Sequence, residues 1–266
     1  MTTDRWTPAP RTLIGMVHLG ALPGTPRAAL APAEIARRAA EEARVLVGAG
    51  FDAILVENMH DVPYLRRTVG PEIVSAMTRA VGAVVEAAGS RPVGVQVLAG
   101  ANHAALSIAH ATGARFIRAE GFSYAAVADE GILDEADAGP LLRFRRAIGA
   151  ESIAIWADVR KKHSAHALTG DLVLADLVSG THFMGADAVI ITGSHTGQAV
   201  SAHDLDAARH ASPLPVAVGS GATPESLPGL LDRCDAVIVG SALKVDGHWS
   251  NEIDPARARA FVEARG

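Results

Sequence analysis

Eight times along this chain, a short run of β-branched and aliphatic residues ends in a polar residue or Gly and gives way to an amphipathic helical stretch. The runs cover residues 13–19, 53–59, 93–98, 116–121, 153–159, 188–193, 215–221 and 236–243. Strand alternating with helix eight times predicts a (β/α)8 barrel of the α/β class. A length of 266 residues suits one such domain over 1–266, and no composition shift marks a second. Barrels of this kind place their chemistry at the C-terminal strand ends, so the search for a site narrows to those ends.

Helix signals sit between the runs. Pro32 and Pro71 are good first helical positions, and Ile35, Ala39, Ala43 and Leu46 share one face of the first helix. The third helix is expected over about 103–112, the fourth up to Ile148, the fifth after Gly170 and the sixth after Ser201. Thr223 with Pro224, and Asp254 with Pro255, read as cap-plus-proline starts of the last two helices. The second helix is apolar along a wide face through Ile73, Met77, Val81 and Val84, which suggests a homo-oligomer. The Gly- and Pro-rich loop 18–26 is either an active-site lid or a rigid turn.

Hydrophobic residues make up 49% of the chain and aromatics only 4%, so the core is expected to be built from Ala, Val, Ile and Leu. The formal net charge is −5 with no Lys/Arg block, which argues against nucleic acid as a partner. No apolar run approaches the ~20 residues of a membrane span, and the first ten residues show no signal segment. The single cysteine, Cys234, cannot form an intrachain disulfide and reads as a small buried hydrophobe. Together these features suggest a cytoplasmic protein.

The clearest local signal lies in the last quarter. The seventh run ends in Gly219-Ser220-Gly221 and the eighth continues into Gly240-Ser241. Barrels often bind phosphate with the loops after these two strands, because glycine lets backbone N–H groups approach an anion. A small phosphorylated ligand is therefore expected there.

The other strand ends carry titratable groups: His18, Glu57 with Asn58, Arg118 with Glu120, Asp158 followed by Lys162 and His163, and His195. A carboxylate in an apolar strand, such as Glu57, is costly to bury unless it is paired or useful. Glu57 or Asp158 is the expected general base, with His163 or His18 as acid partner. Asn58, Arg118 and Lys162 are expected to bind substrate. Arg118 and Glu120, two apart on one face, are expected to form an ion pair. His18, Glu57, Asp158 and His163 are ligand types that zinc uses, but no compact ligand spacing accompanies them, and no metal or other cofactor is assigned. Trp156, in mid-strand, should pack on a helix or fill the barrel interior.

Several strings resemble the BtpA/SgcQ family. They begin with Ile14-Gly15-Met16-Val17-His18-Leu19 and Phe51-Asp52-Ala53-Ile54-Leu55-Val56-Glu57-Asn58. Phe116-Ile117-Arg118, Ala157-Asp158-Val159, Lys162-His163, Val218-Gly219-Ser220-Gly221 and Ile238-Val239-Gly240-Ser241 follow in order. The resemblance implies a phosphate-binding type of (β/α)8 barrel and marks the residues inside these strings as site positions. It does not imply a reaction: one member is linked to photosystem I biogenesis, another lies among sugar-utilisation genes. Three functions follow as expectations. The first is an isomerase- or lyase-type enzyme on a sugar phosphate or nucleotide-like metabolite. The second is a noncatalytic assembly factor, and the third is a metal-dependent hydrolase.

Overall fold

The computed structural model describes residues 4–160, 164–193, 200–219 and 221–266. Eight parallel strands close into a barrel: β1 (Thr12–His18), β2 (Ala53–Glu57), β3 (Val93–Gln96), β4 (Phe116–Ala119), β7 (Ala154–Val159), β9 (Ala188–Ile191), β10 (Val216–Gly219) and β11 (Ala236–Val239), which returns to β1. Helices α1 (Pro32–Ala49), α2 (Pro71–Ala88), α3 (Asn102–Thr112), α4 (Ala138–Ala147), α5 (Leu174–Phe183), α6 (Ala202–Ala211), α7 (Leu227–Leu231) and α8 (Pro255–Arg265) follow the barrel strands in turn.

The helix starts follow the sequence signals at α1, α2, α6 and α8. Ser201 Oγ accepts the Asp204 N–H, and Asp254 accepts from Ala256 and Arg257. The first helix ends at Gly50, whose φ of 105° is the left-handed conformation that glycine adopts at least cost. The seventh helix departs from expectation: Thr223 and Ser226 hold a turn by reciprocal hydrogen bonds, and the helix begins at Leu227. A helix started at Pro224 would place Pro228 in its interior, against the carbonyl one turn back.

Strand alternation divides the apolar residues into two cores. Outward-facing residues such as Val17, Val56, Val95, Ile117, Ile155 and Val218 pack with the helices. Ile14, Met16, Leu55, Phe116, Trp156, Ile190 and Ile238 fill the barrel with a ring of alanines at the strand starts. Aromatics, although scarce, close its floor: Trp156 fills the barrel interior, one of the two places expected of it, so Ala, Val, Ile and Leu do not build the core alone. Trp6 stacks on Trp156 at 5.1 Å and tilts against Phe116 at 4.8 Å. Ala53, Ala154, Ala188, Ala217 and Ala236 leave the volume these rings need. So does Gly94, where a Cβ would stand 2.3 Å from the Phe116 ring.

On α2, Ile73, Met77, Val81 and Val84 are buried against the chain's own core, while Val74 and Val85 are half-buried. The polar stretch 122–139 holds an unexpected hairpin of β5 (Ala126–Ala128) and β6 (Gly131–Leu133), joined by β8 (Ser164–Ala165) into a small antiparallel sheet. Its strands belong to the loops after β4 and β7, so the sheet stands on the mouth side of the barrel. No helix among the described residues is long and apolar enough to cross a membrane.

Candidate active site at the barrel mouth

The alternation that aims Met16, Leu55, Gly94, Phe116 and Trp156 inward carries on to the strand ends. There it aims His18, Glu57, Gln96, Arg118 and Asp158 inward as well. His18 pairs in register with Glu57, and Glu57 with Gln96, so three adjacent strands contribute one rung. All five side chains are buried. A layer of charged and amide groups therefore lies directly above an apolar barrel.

His18 Nδ1 lies 3.1 Å from the Trp249 carbonyl, which can only accept, so Nδ1 carries a proton. The other ring nitrogen, Nε2, stands 3.7 Å from Glu57 Oε2. Arg118 Nε donates to both oxygens of Asp158, at 3.2 and 3.0 Å. Burial opposes the charge of this guanidinium, but the carboxylates of Asp158, Glu57 and Glu120 outweigh it and raise its pKa. Arg118 thus stays cationic amid three carboxylates.

The expected Arg118–Glu120 ion pair is replaced by Arg118–Asp158, and Glu120 Oε1 instead accepts from Gln96 Nε2 at 3.1 Å. Same-face residues on one strand stand about 6.6 Å apart, whereas neighbouring strands are about 4.8 Å apart, so a partner across the ladder is nearer.

Asn58 is held at both ends of its amide. Its Nδ2 donates to Asp61 and its Oδ1 accepts the Leu98 N–H, each at 2.8 Å. Asp61 in turn accepts the Leu22 N–H at 2.8 Å. Three loops, after β1, β2 and β3, are tied together by this pair, and Leu19 and Leu22 are buried. The loop 18–26 is accordingly a pinned turn. Burial raises the pKa of Asp61, with these donors acting in the opposite sense.

The glycines at the ends of β10 and β11 border the same layer. A Cβ at Gly219 would stand 3.5 Å from an Arg118 guanidinium nitrogen and 2.6 Å from Ile190. A Cβ at Gly240 would stand 3.4 Å from His18 Nε2. The missing side chains keep open the space beside the arginine and the histidine. Gly221 has φ +82°, and Ser241 is exposed. The amides of Gly221, Ala222, Ser241 and Ala242 donate to no described carbonyl. Helix α7 has only five residues and begins at Leu227, beyond this loop, so the loop offers backbone amides rather than a helix end.

Ser220, Lys162, His163, His195, Thr196 and Gly197 lie outside the described residues. Among the described residues, no three metal-ligand side chains gather. Two residues passed over in the sequence belong to the mouth. Gln96 completes the rung. Tyr64 donates to the Met59 carbonyl at 2.8 Å, and burial, with Glu57 and Glu120 nearby, raises its pKa. A cavity of about 300 Å3 opens beside His18, between α1, His60 and residues 250–253.

A closed parallel barrel with a buried charged layer at its C-terminal mouth defines the class: a (β/α)8-barrel protein. The BtpA family model matches residues 9–265, and the chain belongs to that family. It is 42% identical over 255 residues to a mitochondrial protein of Caenorhabditis elegans, covering 94% of this chain and 91% of the relative. It is 39% identical over 254 residues to the photosystem I biogenesis protein BtpA of Synechocystis, covering 95% and 87%. The mitochondrial relative means that family membership does not carry a cytoplasmic location with it. Similar solved structures include 3-hexulose-6-phosphate synthase, with TM-score 0.59, 16% identity and coverage of 95% and 99%. N-(5'-phosphoribosyl)anthranilate isomerase from Pyrococcus furiosus gives TM-score 0.57, 14% identity and coverage of 96% and 98%.

Proposed function

We propose that this chain is an enzyme that transfers protons on a small phosphorylated metabolite, a sugar phosphate or nucleotide-like compound, in an isomerase- or lyase-type reaction. The observation that carries the reading is the His18–Glu57 contact of 3.7 Å, set in one buried layer with the Arg118–Asp158 pair. The names of the two barrel enzymes above, each of which includes a phosphorylated sugar, support it by analogy.

In this reading Glu57 is the base and His18 its acid partner. With Nδ1 fixed by the Trp249 carbonyl, Nε2 is the nitrogen that exchanges a proton. Asp158 is spent on Arg118 and acts by holding it, so that the guanidinium can stabilise an oxyanion formed on the substrate. The phosphate rests on the amides of Gly219-Ser220-Gly221 and Gly240-Ser241, beside the cation rather than among the carboxylates. Lys162 and His163, which follow β7, keep their expected roles as anion holder and alternative acid. Asn58 serves by bracing the loops.

A thermal-shift screen of phosphorylated sugars and nucleotides identifies the ligand class. With a substrate in hand, Glu57→Gln is expected to lose about 10²–10⁴-fold in turnover while retaining binding. Wild-type turnover in that variant would remove Glu57 as the base.

A further inference from the structure

Gln96 presents an anomaly. It is 1% exposed, and its Nε2 donates to Glu120, which fixes the orientation of the amide. Its Oε1 is buried and has no hydrogen-bond partner among the described residues. A buried amide oxygen left without a donor is costly, and folded proteins rarely leave one so unless something else supplies the donor. This oxygen belongs to the rung of His18 and Glu57, on the inward face at the end of β3.

Its surroundings say what kind of donor fits. The wall formed by β2, β3 and β4 is rich in acceptors: Glu57, Gln96 Oε1 and Glu120. A carboxylate or keto oxygen set against these three groups would meet acceptors and no donor. A cationic end is disfavoured too, because Arg118 stays charged in the same layer. Neutral hydroxyl groups suit such a wall, since each O–H donates to an acceptor and its oxygen still accepts. The opposite wall, with the glycine ends of β10 and β11, offers backbone donors beside Arg118. The two walls therefore ask for opposite ends of one molecule.

We infer that Gln96 is a specificity-determining residue whose Oε1 accepts a hydrogen bond from a substrate hydroxyl, so that the site takes a phosphate ester of a polyhydroxylated carbon chain. This rests on the proposed phosphate site and deepens it, by naming the group read at the other end. Glu120 is the positioning residue: it receives the amide N–H₂ and so keeps the oxygen, not the nitrogen, toward the ligand.

The test uses the whole chain and calorimetric titration with inorganic phosphate, ribose 5-phosphate and glucose 6-phosphate, for the wild type and for Gln96→Met, which keeps the length and removes the acceptor. The wild type is expected to bind at least one sugar phosphate about ten-fold or more tighter than inorganic phosphate. In Gln96→Met that advantage should shrink at least about five-fold, since a site built to pair with a hydroxyl loses selectivity when the pairing group is removed. Inorganic phosphate, held across the barrel, should keep its affinity. The 2-deoxy counterparts of both sugars, bound by the wild type, give a readout that needs no variant: for the sugar whose 2-hydroxyl meets Gln96, the deoxy compound should behave in the wild type as the parent does in Gln96→Met. Failure of inorganic phosphate to bind at all would sink the phosphate reading itself. Phosphate binding with no advantage for either sugar phosphate, or an advantage undiminished in Gln96→Met, would overturn the role of Gln96 alone.

Discussion

Arg118 Nε reaches across from β4 to both carboxylate oxygens of Asp158 on β7, at 3.2 and 3.0 Å, with both side chains withdrawn from solvent. Removing one partner of a buried pair strands the other charge and typically costs about 3–5 kcal/mol. Asp158→Asn is expected near the lower end of that range, because Glu57 and Glu120 still face the guanidinium. Urea denaturation at pH 7 measures it. A change under about 0.5 kcal/mol would show that the pair does not anchor the mouth.

A second buried pair ties α1 to the segment after β11. Lys244 Nζ donates to both oxygens of Glu42 at 2.8 Å, and Lys244 is 1% exposed. Burial raises the pKa of Glu42 and lowers that of Lys244. Both shifts favour the neutral forms, so holding the two as ions costs the fold something. Glu42→Gln alone should destabilise by about 3–5 kcal/mol, while Glu42→Leu with Lys244→Met should be neutral or stabilising. Denaturant midpoints of the single and double variants decide it; a double variant as weak as the single would refute the account.

The Cys234 thiol is buried, and burial, with Asp235 second, pushes its pKa up to about 12 from 9.0. A thiol reagent at pH 8 is expected to find no reactive group in the folded chain and one after denaturation. The folded value lies above the unfolded one. This group's contribution to stability is therefore intact below about pH 9 and falls as pH rises toward about 12. Rapid labelling of the folded protein would contradict the burial of this thiol.

Gly221 takes φ +82°, a conformation that costs a side-chain-bearing residue about 1–2 kcal/mol. Gly221→Val should therefore lower stability modestly and weaken binding of a phosphorylated ligand more than the stability loss explains. Titration of a folded variant with inorganic phosphate checks it, and unchanged affinity would remove this loop from the anion site.

The eight barrel strands were legible because each is a compact apolar run closed by a polar residue or glycine, and the (β/α)8 barrel follows from their number. The small sheet of β5, β6 and β8 was not, because strands of two or three residues within a polar stretch leave no periodicity to read. His18, Glu57 and Asp158 announced themselves as charged or titratable groups in apolar strands. Gln96 did not, since an uncharged amide in Val93-Gly94-Val95-Gln96 carries little hydropathy contrast; its one signal was strand parity shared with Gly94. Arg118 pairs with Asp158 where the sequence points to Glu120, because spacing along a chain cannot show which neighbour the ladder brings closer.

Trp6 lies outside all eight strand–helix units, yet its indole is stacked at 5.1 Å on a ring 150 positions later, at Trp156. A chain made from its first residue onward therefore produces this aromatic group early and gives it a place late. Phe116 becomes available with β4, but the ring on which Trp6 stacks, Trp156, comes only with β7. Closing so long a loop is entropically expensive, and contacts of this separation form late in folding. Trp6 thus waits for the 150 residues that follow it before it has its full place in the barrel floor.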